Sequence, residues 1–241
     1  MTLTDRDQAL RDDIRRLGHQ LGDALTRQHG PRLLDLVEQV RSLTKQVRQE
    51  EDAAAAEQGT QLLGSLDLNE TIQLMRAFTA YFYLANAAEQ VHRIEELAET
   101  DVDHSLAATI DRIQAAGLDP DLVTAVIDRL ELRPVFTAHP TEAARRTILT
   151  KLRTLADLLD QRLDPRATES DRTRIDRRVA ELIDQIWQTD ELRMERPEPI
   201  DEARSMVFYF DQLFGDVLPT LGEEVDLQLD RLAPGDHVPI R

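Results

Sequence analysis

The chain has 241 residues, of which 41% are hydrophobic and only 4% aromatic, and its formal net charge is −17. That length is enough for one large domain or two small ones, and the negative charge argues against nucleic acid or an anionic membrane as a partner. Because the sequence has no cysteine, disulfides, thiolate catalysis and cysteine-ligated zinc are excluded. Neither a signal peptide nor a membrane-spanning run is recognisable, so we expect a cytoplasmic protein.

Helix-forming residues dominate the composition and apolar side chains recur at helical spacing, so we predict a mainly α protein. The first amphipathic helix is predicted from about residue 5 to residue 27 and the second from residue 31 to about residue 50, with Gly30-Pro31 between them. Residues 51–59 are low in complexity and are interpreted as a frayed helix end or an exposed connection. Asp67 is expected to cap a long helix that reaches about Ala98.

That long helix carries two kinds of side chain at helical spacing. The line expected to face the core consists of Ile72, Met75, Phe78, Phe82 and Ala85. Asn86, Glu89 and Arg93 also share a face, and they predict either a buried polar network that supports a site or, as we favour, a hydrogen-bond lock between helices. His92 has no second histidine or cysteine at ligand spacing, so a metal role is not expected.

The second half of the chain also indicates helices, with one exception. Leu132–Ala138 has the β-branched and aromatic residues of an extended segment, which allows one or two short strands near residues 133–138. Thr168 is predicted to begin a long helix to about Met194, and Asp201 to cap the next helix. The remaining predicted helices open at Ser105, at Asp119-Pro120 and near Leu218, and the aromatic residues assigned to the core are Trp187, Phe208, Phe210 and Phe214.

The strongest chemical signal is His139, which lies in the stretch Val135-Phe-Thr-Ala-His-Pro-Thr-Glu-Ala-Ala-Arg-Arg-Thr147. Pro140 suits the first position of a helix, which places His139 at or next to the N-cap. There the helix dipole opposes protonation, and a neutral imidazole can act as a general base. The alternative is a histidine that only caps or packs the helix.

A local basic cluster would be needed to bind an anionic substrate in so acidic a protein. Arg145, Arg146, Arg193 and Arg196 are the candidates. Arg193 falls on the continuation of the buried line of the helix that begins at Thr168, so it is predicted either to pair with a buried acid or to point into an anion site.

The His139 stretch resembles the first active-site signature of the phosphoenolpyruvate carboxylase family, and other stretches are similar to that family along nearly the whole chain. These are Leu10-Arg-Asp-Asp-Ile-Arg-Arg-Leu-Gly18, Leu84-Ala-Asn-Ala-Ala-Glu-Gln-Val-His-Arg-Ile94, Trp187-Gln-Thr-Asp-Glu-Leu-Arg193 and Arg196-Pro-Glu-Pro-Ile-Asp-Glu-Ala-Arg204.

The resemblance implies an enzyme that forms oxaloacetate and phosphate from phosphoenolpyruvate and bicarbonate, with Mg²⁺ or Mn²⁺. It implies that His139 is the base, and that Arg145 and Arg146, together with Arg193, bind a substrate or an effector anion. It also implies a homo-oligomer, usually a tetramer. The family's Gly-Gly-Asp-Arg-Asp-Gly-Asn-Pro and Phe-His-Gly-Arg-Gly-Gly runs do not occur in these 241 residues, so no metal site is expected within them.

Together these observations predict a multi-helix, bundle-like N-terminal part of a carboxylase whose complete fold is an α/β barrel. Residues 1–241 are assigned to one helical region, with a sub-division into 1–118 and 119–241, the second part carrying the His139 helix. The predicted function is carboxylation in anaplerotic carbon fixation, here as a fragment that is inactive alone and needs a complementary C-terminal fragment. The alternative is a non-catalytic helical interaction or regulatory module derived from that enzyme.

Overall fold

The computed structural model describes residues 3–50, 52–99, 105–127, 129, 131, 146–189 and 198–232. Over these residues the chain is helical and contains no strand, which confirms the mainly α prediction. The strands allowed near residues 133–138 lie outside the described residues. The helices are α1 (Leu3–His29), α2 (Pro31–Glu50), α3 (Ala53–Ser65), α4 (Leu68–Glu99), α5 (Leu106–Ala115), α6 (Pro120–Ile127), α7 (Arg146–Leu163), α8 (Glu169–Gln188), α9 (Pro199–Gln212) and α10 (Leu218–Leu232).

The chain divides into two compact units. Unit 1 comprises residues 1–97 and 147–192, and unit 2 comprises residues 98–146 and 193–241. Each unit is therefore built from two separate stretches of sequence, whereas a sub-division after residue 118 would leave each part continuous. That sub-division stays a prediction.

Unit 1 is a helical bundle with one continuous apolar core, drawn from α1, α2, α4, α7 and α8. The predicted core line of α8 is confirmed, because Ile175, Val179, Leu182 and Ile186 are all buried. The most deeply buried large side chains of the unit 1 core are Leu17, Leu25, Leu84, Ile148, Leu155, Leu159, Val179 and Ile183.

The hairpin of α1 and α2 follows directly from its sequence. Gly30 adopts a φ of 78°, the left-handed conformation that glycine takes without strain at a helix end, and Pro31 then begins α2. The two helices approach closely near Gly22, where an added Cβ would lie 3.2 Å from the Leu34 side chain. The predicted bounds of both helices are thus confirmed to within two residues.

The interpretation of residues 51–59 as a frayed end or connection is wrong for residues 53–59, because they form the first turns of α3. Asp52 is the N-cap, and its carboxylate accepts hydrogen bonds from the backbone N–H groups of Ala54 (2.8 Å) and Ala55 (3.2 Å). Alanine has the highest helix propensity, so a capped alanine run forms a helix even though it looks featureless. Ala55 is buried.

The face of α4 that packs into unit 1 differs from the predicted one. The side chains that enter the core are Leu74, Ala77, Ala80, Leu84, Ala87, Ala88 and Val91. Met75 and Phe82, which belonged to the predicted core line, are 65% and 58% exposed. Apolar residues occur on opposite sides of this helix, so spacing alone could not select the inner face.

Unit 2 has a small core in which Ile110 of α5 packs with Val225 and Leu229 of α10. Helices α9 and α10 are joined by a π-helical segment, Leu213–Val217. Pro219 follows this segment and cannot donate to the carbonyl one turn before it, and a widened turn accommodates such a residue.

Two sequence-based assignments in this region need correction. Phe214 is 62% exposed, so its assignment to the core is wrong, although its ring stacks on Phe210 with centroids 5.9 Å apart. Trp187 of unit 1, at 3% exposure, is confirmed as core. Asp201 is not the N-cap of α9: Glu198 has that position, and the Asp201 carboxylate accepts the Glu198 backbone N–H at 3.1 Å.

Candidate functional site

Most of the predicted site lies outside the described residues. His139, Arg145, Arg193 and Arg196 belong to the two stretches 132–145 and 190–197, of which nothing is described. Arg146 is the first residue of α7, but its side chain is also outside the description. The described residues include the helices to which both stretches are attached, α7 and α8.

Helices α7 and α8 form an antiparallel pair in unit 1. Lys151, near the start of α7, donates a hydrogen bond to the carbonyl of Gln185, near the end of α8, at 3.0 Å. At the opposite end of the pair, the Arg162 side chain contacts the Asp176 carboxylate at 2.9 Å. The stretch that carries His139 therefore joins the start of α7, and the stretch that carries Arg193 leaves the end of α8, at the same end of this pair.

The end of α8 is held by two cationic side chains from other helices. Arg76 of α4 donates to the carbonyls of Trp187 (2.6 Å) and Thr189 (3.3 Å). Lys151 donates to Gln185, as above, and also to the Thr189 hydroxyl at 2.5 Å. Cations are favoured at a helix C-terminus, where the last carbonyls have no partner inside the helix.

Trp187 links these groups to the core. The Arg76 guanidinium lies over the indole, 4.8 Å from the ring centroid, and the ring of His29 meets the indole edge-on at 5.4 Å. Because Trp187 is buried, its backbone and side chain are both fixed by neighbours on α1 and α4. The end of α8 is therefore held in place by contacts to α1, α4 and α7 within unit 1.

Helix α8 ends earlier than predicted. Its last residue is Gln188, and Thr189 is the C-cap with extended backbone angles (φ −77°, ψ 121°). The predicted extension of this helix to about Met194 is wrong, because the helical backbone ends before Thr189. Since the helical register stops at that residue, the buried line of α8 gives no information about the direction of Arg193.

A second polar group in unit 1 is a part-buried charge cluster, here called the Asp13 cluster, of Asp13, Arg16, His92, Arg162 and Asp176. His92 Nε2 lies 2.9 Å from Asp13 Oδ2, and Arg16 Nη2 lies 2.8 Å from Asp13 Oδ1. The second carboxylate, on Asp176, accepts from Arg16 Nη1 (2.8 Å) and from Arg162 Nε (2.9 Å). The cluster joins α1, α4, α7 and α8 through hydrogen bonds that are largely out of solvent.

The electrostatics of Asp13 show how the cluster is balanced. Burial alone would raise the pKa of this carboxyl, but hydrogen bonds from His92 and Arg16, with the charges of Arg16 and Arg162, lower it below its ordinary value of 3.8. Asp13 is therefore the anion around which the positive groups are arranged.

The polar cluster that involves α4 consists of other residues than those predicted. Asn86, Glu89 and Arg93 are exposed within the described chain, so neither a buried network nor a helix lock is formed by them there. The buried member from α4 is His92. Asp13 could have been recognised beforehand, because it precedes Leu17 and Leu21 by one and two turns and therefore lies on the buried face of α1.

Neither a metal site nor a membrane span is found in the described part of the chain. Among those residues no three histidine, aspartate or glutamate side chains are grouped so that they could hold a metal ion. None of the described helices is both long and apolar enough to cross a bilayer.

Comparison with known proteins gives a consistent result. The sequence model of the family described as phosphoenolpyruvate carboxylase matches residues 10–240. The chain is 34% identical over 238 residues to the phosphoenolpyruvate carboxylase of Pseudomonas paraeruginosa, covering 97% of this chain and 27% of that protein. Similar matches are to the enzymes of Shewanella loihica (35% identity, 99% of this chain and 28% of the relative) and Roseiflexus castenholzii (35%, 92% and 24%). The chain thus spans about a quarter of the length of these relatives.

Proposed function

Because the chain belongs to the phosphoenolpyruvate carboxylase family, we propose that it is the N-terminal part of a carboxylase and that it contributes the proton-accepting histidine, His139, to that enzyme. The observation that carries the proposal is the family match over residues 10–240. The complete reaction would join bicarbonate to phosphoenolpyruvate, giving oxaloacetate and phosphate.

The proposed role of His139 follows from the chemistry of that reaction. Bicarbonate attacks the phosphoryl group, so that a P–O bond to the attacking oxygen forms, the bond to the enol oxygen breaks, and carboxyphosphate and the pyruvate enolate result. A neutral imidazole then takes the proton of carboxyphosphate, which releases CO₂ and phosphate. The enolate carbon attacks the CO₂ to form oxaloacetate. His139 needs to be uncharged at this moment, as expected for a histidine at a helix N-cap.

Arg145, Arg146 and Arg193 are proposed to bind a phosphorylated or carboxylate anion, either the substrate or an allosteric effector. The antiparallel pair of α7 and α8 supports this grouping, since residues 146 and 189, from which the two stretches continue, lie at one end of the pair. Arginines from two distant parts of the sequence can then serve one anion.

The divalent metal of the reaction is proposed to bind elsewhere in the complete enzyme. The described residues do not offer a set of carboxylate or imidazole ligands for it, so no step is derived through it here. Mg²⁺ or Mn²⁺ would supply charge stabilisation at the transferred phosphoryl group.

The test uses a chimera in which this chain replaces the first quarter of the Pseudomonas paraeruginosa enzyme. We expect oxaloacetate formation by the chimera and none by the 241-residue chain alone. His139→Asn should lower kcat of the chimera by about 10²- to 10⁴-fold, the usual contribution of a general base. His19→Asn, at an exposed position of α1, is the control and should leave kcat unchanged.

Two results would contradict the proposal. One is oxaloacetate formation by the purified chain, and the other is an active chimera whose rate does not depend on His139. The first result would show that the chain is active without the rest of the enzyme, and the second would show that the role assigned to His139 is wrong.

A second candidate function, a non-catalytic module that binds a carboxylase subunit, is favoured by the outer face of α4. Its exposed apolar side chains include Leu68 (77%), Met75 (65%), Phe82 (58%) and Leu97 (66%). Leu68, Met75 and Phe82 fall within one stripe at about 100° per residue, whereas the exposed Asn86 and Arg93 lie on the same side between Phe82 and Leu97. An exposed apolar patch such as that of Leu68, Met75 and Phe82 is typical of a surface that another element covers.

Mixing the chain with the C-terminal three quarters of a relative distinguishes the two functions. Binding with restored activity supports the split enzyme, and binding without activity supports the module. The double variant Met75→Asp/Phe82→Asp should weaken that binding at least about tenfold. Leu227→Asp, at an equally exposed apolar position of α10, is the matched control.

Oligomeric state and location belong to the proposal as well. We propose a homo-oligomer, a tetramer by analogy with the family, in the cytoplasm, where phosphoenolpyruvate and bicarbonate would be available. Allosteric control through the arginines named above is part of the same proposal.

A further inference from the structure

We infer that Arg76 and Lys151 are positioning residues that fix where, and in which direction, the chain leaves α8 at Thr189. The inference rests on the proposed function, because the stretch that follows carries Arg193, the proposed anion ligand. Arg76 and Lys151, with the atoms they bind at the end of α8, are called the α8 latch.

The latch replaces the usual way of ending a helix. Many helices end with a glycine in the left-handed conformation that turns the chain back on its own last carbonyls. Here the C-cap is Thr189, with an extended backbone, and its N–H bonds to the carbonyl of Ile186 at 3.1 Å. The carbonyls of Gln185, Trp187 and Thr189 are instead satisfied by side chains from α7 and α4.

Each cation is held by more than one contact. Arg76 contacts the carbonyls of Trp187 and Thr189 and the face of the Trp187 indole, so its planar guanidinium is fixed in orientation. Lys151 bonds both to the Gln185 carbonyl and to the Thr189 hydroxyl, and that hydroxyl in turn donates to Gln185 at 2.7 Å. A rotation of the Thr189 side chain would break its hydrogen bonds to Lys151 of α7 and to Gln185 of α8.

The position of Lys151 explains why the latch bears on the site. It lies little more than one turn after Arg146, at which α7 begins. One lysine thus ties the beginning of the helix that follows the His139 stretch to the end of the helix that precedes the Arg193 stretch. Changes in the latch should alter the position of the end of α8 without removing any group that touches substrate.

The experiment measures position directly. The sequence has no cysteine, so nitroxide labels can be placed at chosen sites without background. One label replaces the exposed Gln188, the last residue of α8, and the other replaces the exposed Gln39 of α2. The distance distribution between the labels is recorded by pulsed electron paramagnetic resonance for the otherwise unmodified chain and for Arg76→Met, Lys151→Met and Arg178→Met.

For the labelled parent chain we expect a single narrow distance distribution. In Arg76→Met and Lys151→Met the distribution should be about twice as broad, because the end of α8 loses contacts that hold it in place. Arg178→Met removes an exposed ion pair with Glu181 on the same helix and should leave the width unchanged. Hydrogen exchange of the Thr189 amide should accelerate about tenfold in the two latch variants only. Arg76→Lys keeps the charge without the fork and should broaden the distribution less than Arg76→Met.

An unchanged width in both latch variants, or a parent distribution as broad as theirs, overturns the inference. If one methionine variant does not fold by circular dichroism, the other variant and Arg76→Lys still decide. In the chimera, latch variants should raise KM for phosphoenolpyruvate or lower kcat while His19→Asn does neither. If the distance distribution broadens but KM and kcat of the chimera do not change, the inference about the latch stands and the anion-binding role of Arg193 is refuted.

Discussion

Among the described residues, the two units differ in the number of apolar residues that they bury. The described part of unit 1 has a core of twenty buried residues, a charge cluster that joins four helices, and the α8 latch. The described part of unit 2 has a core cluster of three buried residues, and the continuous stretch from α9 to α10 carries large exposed apolar side chains. These are Ile200, Val207, Tyr209, Phe214, Val217 and Leu227.

The difference predicts where, among the described residues, the fold resists local opening. Buried apolar side chains and paired charges are concentrated at the α7–α8 pair and its neighbours. Stability is not uniform within proteins, and regions with few buried apolar contacts open first. Four measurements would break or sharpen the contrast.

The largest effect is expected from truncating the two cores. Leu155 of unit 1 is fully buried, and Leu155→Ala should lower the free energy of unfolding by about 2–5 kcal/mol, because a rigid core cannot close the cavity. Leu229→Ala in unit 2 should cost about 2 kcal/mol, at the lower end of the same range, because few described neighbours surround it and they can collapse around the gap. Urea unfolding followed by circular dichroism measures both, and Trp187 fluorescence reports unit 1. Equal losses would contradict the contrast.

Removing the central anion of the Asp13 cluster is the next largest effect. Asp13→Asn leaves Arg16 and Arg162 without one of their partners in a part-buried place and should cost about 2–3 kcal/mol. Asp12→Asn is the matched control, because Asp12 pairs with Arg15 in solvent, and its effect should stay within about 0.5 kcal/mol. Denaturant unfolding at pH 7 gives both values, and similar losses would mean that the cluster adds nothing.

The same carboxylate gives stability a defined pH dependence. The pKa of Asp13 is lower in the folded protein than its ordinary value of 3.8, so its contribution is present above that pH and is lost as the pH falls through the folded value. The stability difference between the parent chain and Asp13→Asn should therefore be constant near pH 6–7 and shrink below about pH 4. A difference that grows on acidification would show that the sign is wrong.

The smallest effect concerns the cap of α3. Asp52→Ala removes two hydrogen bonds to backbone N–H groups and should cost about 1 kcal/mol, seen as faster amide hydrogen exchange in the first turn of α3. Asp35→Ala, at an exposed position inside α2, should not change exchange in α3. Unaltered exchange in Asp52→Ala would mean that packing alone holds this helix end.

The parts of the fold that could be predicted are those where the sequence offers one solution. Gly30-Pro31 allows only a break between two helices, and α8 has apolar residues on a single face, so the break and the buried face of α8, although not its last residue, were assigned correctly. Helix α4 has apolar residues on two faces, and periodicity cannot tell which face the neighbours cover. Helix α3 was missed because an alanine run has no amphipathic pattern, and only its Asp52 cap marked its beginning.

For the candidate site, the sequence identifies the family, whereas the roles of its residues stay predictions. The motif around His139 indicates the family, and the family match confirms that identification. Arg76 and Lys151, which hold the end of α8, are separated from it by 111 and 34 residues at their first contacts, so no local pattern could join them. Long-range pairs of this kind become visible only when the helices are packed.

The π-helical segment at Leu213–Val217 has a consequence for how this region can vary. A π turn accommodates one residue more than an α turn, and each residue in a helix advances the side chains by about 100°. A one-residue deletion there would therefore restore a regular helix and leave the helix that follows, with Val225 and Leu229, at nearly the same angle relative to α9. A one-residue deletion inside α10 before Val225 would instead turn these two side chains by about 100° away from Ile110, so the π-helical segment is the place in this pair of helices where the loss of one residue should be tolerated best.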